Sequence, residues 1–225
     1  MELTLLRHAQ PEWIRDGLCV VDPRLSELGF AQADHIVPAL GADTFDEFLV
    51  SPLLRARQTA APLAIRQGVT PVEDAWLEEC REPDWHGEPA EVARIAYLAE
   101  SEAHHDDRWN GLPGGESARD FQTRIHAGLL SFLAARGVTR ANTKLPLWDI
   151  AEPGARILWV AHAGTNSVVL SHLLGVAPVP WEWDRFRIAH ASMSRLSTKP
   201  VGSHYAFCLD QLSGVEHLPK DMRTF

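Results

Sequence analysis

The sequence predicts an α/β fold: a three-layer sandwich with a mainly parallel central sheet and helices on both faces. Short apolar runs, typical of buried strands, alternate along the chain with segments whose apolar residues recur at helical spacing. This alternation favours a parallel sheet, in which ligands collect beyond the carboxyl ends of the strands. We expect a single domain over residues 1–225, with a surface tail from about residue 212.

The composition argues against several classes of function. Apolar residues make up 45% of the chain, as in globular proteins, and the formal net charge is −9. Because an acidic surface repels nucleic acid and anionic membranes, we expect neither as a partner. The three cysteines lack metal-ligand spacing, and the sequence contains no signal-peptide pattern and no apolar run that could span a membrane. These features predict a cytoplasmic protein with reduced thiols.

The predicted strands are short apolar runs that end at turn residues or at helix-like segments. They cover residues 3–6, 45–50, 68–73, 157–160, 193–197 and 205–209. Residues 9–24 and 137–155 are predicted as loops, the first because it contains several prolines and glycines.

Helices are predicted between these strands. Ser26 is placed to cap the first helix, and Pro38 is expected to limit its length. Ser51 and Pro52 have the pattern of an N-cap followed by proline at the first helical position, which predicts a second helix that includes Arg55. Further helices are predicted at 90–100, after a cap at Ser117, and at 167–174.

For two of the predicted strands, a histidine lies two residues after the end of the strand. His8 lies in Leu-Leu-Arg-His-Ala-Gln, and His162 lies in Val-Ala-His-Ala-Gly-Thr. A single histidine in such a place is more often a packed or hydrogen-bonded structural residue. Two histidines in matched positions, at the edge where an α/β sheet binds its ligands, favour a functional role.

Two arginines indicate that the ligand at this edge is a phosphate group. Arg7 offers a planar fork of donors that suits phosphate oxygens, and its charge favours the neutral form of His8 that a nucleophile requires. Arg55 is predicted in the first turn of a helix, where the helix dipole disfavours a cation. An anion between Arg55 and the helix end would explain this placement, although a solvated surface arginine is also compatible with it.

Several ordered segments resemble the histidine phosphatase superfamily, the phosphoglycerate mutase-like proteins. Residues 5–10 resemble the family's Arg-His-Gly motif, residues 51–60 its second arginine motif, and residues 160–164 its second histidine motif. Further segments follow in family order at 22–33, 77–79, 85–87 and 113–124. The ordered set covers most of residues 3–170 and implies a phosphoglycerate mutase-like fold.

The resemblance implies roles for the residues at the strand ends. His8 would attack phosphorus in line and become phosphohistidine. Arg7, Arg55 and His162 would bind the phosphoryl oxygens and stabilise the charge that develops on them. His162 would act in its protonated form, so its environment is expected to raise its pKa relative to that of His8.

The resemblance also implies a carboxylic acid at the site. Glu79 would protonate the leaving oxygen and then help to activate water, with Glu78 as the alternative acid. Since arginines and histidines supply the positive charge, we expect no metal and no cofactor. The segment 104–107, His-His-Asp-Asp, is interpreted as an exposed polar turn because it lacks metal-ligand spacing.

The chain departs from the family pattern around both histidines. Ala9 and Ala163 stand where glycine is usual, and both are compatible with the site if φ stays negative. Pro11 and Ile14 replace two polar residues that many members carry. Substrate-binding candidates lie in or near the matched segments or precede the late strands: Gln10, Trp13, Arg15, Trp85, Ala163 and His190. Trp181 and Trp183 could line a substrate pocket or form a packing or oligomer contact, and the sequence is equally compatible with both roles.

The favoured function is that of a phosphomonoesterase that hydrolyses a small phosphorylated metabolite through His8. A phosphoglycerate mutase is the alternative, and it is less favoured because residues 137–155 do not resemble a large lid. A third hypothesis is a binding or regulatory module without catalysis, because Pro11 and Ile14 replace polar residues that many family members carry. The expected partner is a small-molecule phosphate ester, and a homodimer is possible.

Overall fold

The structure is a computed structural model that describes residues 1–225. Its strands are β1 (Glu2–Arg7), β2 (Ile14–Arg15), β3 (Leu18–Cys19), β4 (Glu47–Val50), β5 (Val72–Glu73), β6 (Val138–Arg140), β7 (Trp148–Ile150), β8 (Arg156–Ala161), β9 (Met193–Val201) and β10 (His204–Gly214). Its α-helices are α1 (Glu27–Leu40), α2 (Leu54–Gln67), α3 (Ala90–Glu102), α4 (Ala118–Ala134), α5 (Ala163–Leu174) and α6 (Glu182–Arg185). No helix combines the length and the hydropathy that crossing a bilayer requires.

Eight strands form one sheet in the order β5-β4-β8-β1-β9-β10-β7-β6. The strands β5, β4, β8 and β1 are parallel, which confirms the predicted α/β fold and places the site in its parallel half. The antiparallel strands β9, β10, β7 and β6 extend the sheet beyond β1. The sequence predicts strands at the positions of β9 and β10, but neither their antiparallel direction nor the strands β6 and β7. Arg7 pairs with Ala161, so β1 and β8 end side by side.

An apolar core lies on each face of the sheet. Leu5 and Trp159 bury their side chains in the core that includes α4 and α5. Their neighbours Leu6 and Val160 enter the opposite core, which includes α1 and α2. Successive side chains of a strand point to opposite faces of the sheet. Because both faces are covered by an apolar core, the sequences of the two central strands are continuous apolar runs.

The second helix begins later than the sequence predicts. Ser51 is not its N-cap, because α2 starts at Leu54 and Leu53 occupies the capping position without a side-chain hydrogen bond. The backbone N–H of Leu54 instead donates to Asp22 Oδ1 at 2.8 Å. A carboxylate from a distant loop therefore caps α2, while Ser51 Oγ accepts from the backbone N–H of Leu53 at 3.4 Å, before the helix begins.

Several segments have more regular structure than the sequence predicts. The predicted loop 9–24 contains the β2–β3 hairpin, and the predicted loop 137–155 contains β6 and β7, with Trp148 fully buried. These strands of two or three residues are too short to produce an apolar run. Pro38 lies inside α1, which continues to Leu40. In the predicted surface tail, β10 reaches Gly214 and the side chain of Leu218 is buried.

Candidate active site

A cavity of about 290 Å³ lies at the carboxyl ends of β1 and β8. Arg7 and His8 line it from the end of β1, and Arg55 lines it from the first turn of α2. Glu79 and Gly164 contribute the wall beside the start of α5. The residues that the sequence singles out at separate strand and helix ends are therefore brought together in space.

The imidazole of His8 is held in one tautomer. Its Nδ1 lies 2.8 Å from the carbonyl oxygen of Ala9, and because a carbonyl can only accept, Nδ1 carries the hydrogen. Nε2 therefore has a free lone pair as long as the ring is neutral. Burial lowers the pKa of His8 well below its ordinary value, and the charge of Arg55 lowers it further. Ala9 does not have a positive φ, so alanine satisfies the condition set for this position.

His162 lies behind His8, with the two ring centroids 5.0 Å apart. Its Nε2 lies 2.8 Å from Ser51 Oγ, and its Nδ1 is buried without a partner. The predicted difference between the pKa of His162 and that of His8 stays a prediction, because the pKa of both histidines is lowered well below the ordinary value. Burial is the largest cause and lowers the pKa of His162 well below its ordinary value, and Arg55 and Arg7 act in the same direction.

The two arginines carry buried charge that is only partly compensated. Burial lowers the pKa of Arg7 to about 10 and also lowers that of Arg55. Arg55 lies 3.6 Å from Asp22 Oδ1 and 4.7 Å from the ring centroid of Trp13. The Nε atoms of both arginines are buried and have no hydrogen-bond partner. Unpaired buried donors on two cations fit an anionic ligand such as a phosphate group.

The carboxylate of Glu79 is bound at the N-terminus of α5. It accepts hydrogen bonds from the backbone N–H groups of Gly164 at 2.8 Å, Thr165 at 3.2 Å and Cys80 at 3.0 Å. Burial nevertheless raises the pKa of Glu79, as a general acid requires. Glu78, the alternative acid, does not line the cavity and forms a surface ion pair with Arg81.

Three of the substrate-binding candidates lie at or beside the cavity. Trp13 and Ala163 line it, and Ala163 does not have a positive φ. His190 is buried next to the site, with its ring centroid 5.6 Å from that of His8. Its Nε2 lies 3.0 Å from a terminal nitrogen of Arg7, so it contacts a cavity residue rather than the cavity itself.

The other three candidates do not line this cavity, and a substrate contact for them stays a prediction. Gln10 uses its Oε1 to accept a hydrogen bond from Ser26 Oγ at the start of α1. Arg15 is exposed and pairs with Glu12 at 2.7 Å. Trp85 lines a neighbouring apolar cavity of about 550 Å³. Only Arg15 lies in a strand, and proximity in the sequence does not reveal the different environments of these three side chains.

Sequence reasoning missed most of the outer wall of the cavity. Its lining there includes Glu82, Tyr97, Glu100, Arg108 and Leu112, together with Trp183, whose role was open. Tyr97 donates a hydrogen bond to Glu82, and Arg108 pairs with Glu100 at 2.8 Å. The available signal was Tyr97, the aromatic residue of α3, a helix in which no residue is buried.

The fold and the site define the class of the protein: an α/β enzyme with an anion site at the carboxyl ends of its parallel strands. The chain belongs to the histidine phosphatase superfamily (branch 1), whose family model matches residues 3–208. This match confirms the family resemblance that the ordered segments indicate, and it identifies the protein as a hydrolase.

Relatives with assigned activities are phosphatases. The glucosyl-3-phosphoglycerate phosphatase of Mycobacterium tuberculosis is 28% identical over 208 residues, which cover 91% of this chain and 86% of the relative. The enzyme of that name from Mycolicibacterium vanbaalenii is 30% identical over 182 residues, which cover 80% and 76%. A solved mycobacterial glucosyl-3-phosphoglycerate phosphatase in complex with VO3 matches with a TM-score of 0.69 and 28% identity, covering 95% of this chain and 99% of that one.

Proposed function

We propose that the protein is a phosphomonoesterase that hydrolyses a small phosphorylated metabolite through a phosphohistidine on His8. The observation that carries this proposal is the hydrogen bond from His8 Nδ1 to the carbonyl oxygen of Ala9. It leaves Nε2 unprotonated in a cavity that also contains two buried guanidinium groups. The phosphatase relatives support the same activity.

In the first step, Arg7, Arg55 and His162 bind the phosphoryl oxygens of the ester. The lone pair of His8 Nε2 attacks phosphorus in line, and the bond between phosphorus and the ester oxygen breaks. Glu79 gives its proton to the leaving oxygen, so the alcohol departs neutral. The hydrogen bond from His8 Nδ1 to the Ala9 carbonyl stabilises the positive charge that the phosphorylated ring acquires.

In the second step, the carboxylate of Glu79 takes a proton from a water molecule that attacks the phosphohistidine. The bond between phosphorus and Nε2 breaks, and its electron pair returns to the ring of His8. Inorganic phosphate leaves, while His8 is again neutral and Glu79 is again protonated. Because the guanidinium groups carry the positive charge, the proposal assigns no step to a metal or a cofactor.

The outer wall of the cavity receives the organic part of the substrate. Trp13, Tyr97 and Trp183 offer aromatic faces, and Glu82 offers a carboxylate that accepts a hydrogen bond only from Tyr97. Such a wall suits a metabolite that combines an apolar face with hydroxyl or ammonium groups. The three free thiols fit the cytoplasmic location that we also propose.

Phosphate release from a generic aryl phosphate in the presence of a chelator tests the proposal. The parent protein should release phosphate and form an acid-labile phosphoenzyme, and His8→Ala should do neither. His105→Ala removes an exposed histidine and is the matched control. Undiminished turnover by His8→Ala would overturn the mechanism. A panel of phosphate esters, scored also for phosphoglycerate interconversion, separates hydrolysis from mutase activity.

A further inference from the structure

His190 links Arg7, a partly buried arginine of the site, to the C-terminal segment. On one side of its ring, Nε2 lies 3.0 Å from a terminal nitrogen of Arg7. On the other side, Nδ1 lies 2.9 Å from Thr224 Oγ1. The backbone N–H of His190 also donates to the carbonyl oxygen of Thr224 at 2.9 Å. Two hydrogen bonds therefore join His190 to a residue that lies 34 positions further along the chain.

The chemistry of these partners determines the tautomer of His190. A guanidinium group can only donate, so Nε2 must be the acceptor and carries a lone pair. The single hydrogen of the neutral ring then lies on Nδ1 and is donated to the hydroxyl oxygen of Thr224. Burial, together with the charge of Arg7, lowers the pKa of His190 to about 3, so the ring stays neutral at physiological pH.

The hydroxyl of Thr224 is itself held in place by a fully buried glutamine. Gln32 Nε2 donates to Thr224 Oγ1 at 3.0 Å and to the carbonyl oxygen of Met222 at 2.6 Å. Its Oε1 accepts from the backbone N–H of Gln10 at 2.8 Å. Through Gln32, hydrogen bonds therefore connect the C-terminal segment to Gln10, which follows β1 and the site residue His8.

The orientation of Arg7 depends on the same region. One terminal nitrogen donates to the carbonyl oxygen of Ile188 at 2.5 Å and the other to His190 Nε2. These contacts leave Arg7 Nε buried without a partner.

The turn between His190 and β9 contains Ala191, whose φ of 53° is in the left-handed region and strains a residue that is not glycine. The strain indicates that the surrounding contacts, rather than the local sequence, fix this turn.

We propose that His190 and Thr224 are positioning residues for Arg7. Thr224 fixes the tautomer of His190, and the Nε2 lone pair of His190 orients the guanidinium group that binds the phosphoryl oxygens. The proposal rests on the proposed phosphatase function, since it assumes that Arg7 binds the phosphoryl group. Neither positioning residue touches the substrate.

Binding of inorganic phosphate, measured by calorimetry, tests the proposal without requiring turnover. Thr224→Val keeps the shape of the side chain and removes the hydroxyl. We expect it to weaken phosphate binding and to raise KM by roughly two- to tenfold, the effect of one hydrogen bond, with a smaller change in kcat. Thr224→Ser keeps the hydroxyl and should bind phosphate as the parent does. Thr139→Val makes the same chemical change on the exposed strand β6 and is the matched control.

A double substitution separates positioning from a purely structural role. If Thr224 acts through His190, then adding Thr224→Val to His190→Leu should weaken phosphate binding no further than His190→Leu alone. Full additivity of the two effects would overturn the proposal, as would parent-like phosphate binding by Thr224→Val. If the parent binds phosphate but hydrolyses no ester, the phosphatase proposal fails while the effect of Thr224→Val on phosphate affinity still decides the positioning role.

Discussion

The imidazole rings of His8 and His162 lie with their centroids 5.0 Å apart, and neither ring is paired with a carboxylate. Burial lowers the pKa of both, so both are neutral in the protein alone. Neutrality suits His8 as a nucleophile. A phosphate dianion beside His162 would favour its protonated form, so we expect anion binding and proton uptake to be coupled at this pair.

The free energy of unfolding should fall as the pH is lowered from 7.5 to 5.5. His8, His162 and His190 are each 4% exposed or less, and burial lowers the pKa of each. Below a pH of about 6.5, the unfolded chain protonates these histidines while the folded protein keeps them neutral. The unfolded state then binds more protons, and each histidine costs up to about 1.4 kcal/mol per pH unit until its folded pKa is reached. Urea unfolding at both pH values measures the loss.

Two variants test whether the buried histidine rings cause this pH dependence of the unfolding free energy. His190→Gln should reduce the difference in unfolding free energy between the two pH values. His105→Gln, which removes an exposed ring, should leave the difference unchanged. A pH dependence that is the same in His190→Gln and in the parent would contradict the assignment.

Glu79→Gln should slow esters with poor leaving groups far more than esters with good ones. The carboxyl group of Glu79 lies in the cavity wall with its pKa raised by burial, so it can supply a proton to the departing oxygen. Loss of a general acid costs roughly 10²–10⁴ in rate when the leaving group needs the proton. Comparison of kcat/KM for an alkyl and a nitrophenyl phosphate measures the difference. Glu78→Gln is the matched control, and an equal effect of Glu79→Gln on both esters would argue against this acid.

The sequence was sufficient to place the residues that follow directly from regular structure. Arg7, His8 and His162 lie where adjacent parallel strands end, and Arg55 lies in the first turn of α2, so backbone geometry alone brings them together. Ser51 shows where this reasoning fails. Its position before a proline is typical of a helix cap, but its hydroxyl contacts His162 instead.

The contacts that the sequence did not predict depend on distant parts of the chain. Tyr97 reaches the cavity because α3 folds beside the β2–β3 hairpin, and no local pattern encodes that packing. Thr224 meets His190 across 34 positions, through a segment that was expected to be a surface tail. Hydrogen bonds of this kind are specific in three dimensions but have no periodicity that a sequence pattern can reveal.

Gly164→Ala should reproduce the loss caused by Glu79→Gln while phosphate binding is retained. A Cβ atom at Gly164 would lie 2.4 Å from Glu79 Oε1, closer than nonbonded atoms can approach, so the carboxylate must move. Kinetics with both leaving groups and phosphate titration together measure the effect. Gly154→Ala is the matched control, because a Cβ there meets no atom within 4 Å. Parent-like kinetics in Gly164→Ala would show that the position of Glu79 is not critical.

Arg55→Met should stabilise the protein and weaken its response to phosphate. The side chain of Arg55 is almost fully buried, its carboxylate partner Asp22 is 3.6 Å away, and its Nε has no partner. Because a partly compensated buried cation costs more than an apolar side chain of similar length, we expect Tm without phosphate to rise by about 2–4 °C. The further rise that inorganic phosphate produces in the parent should become smaller, since one of the two guanidinium groups that bind the anion is gone. Arg57→Met removes an exposed arginine from the same helix and should change neither quantity. A phosphate-induced rise in Arg55→Met as large as that in the parent would show that Arg55 does not bind the anion.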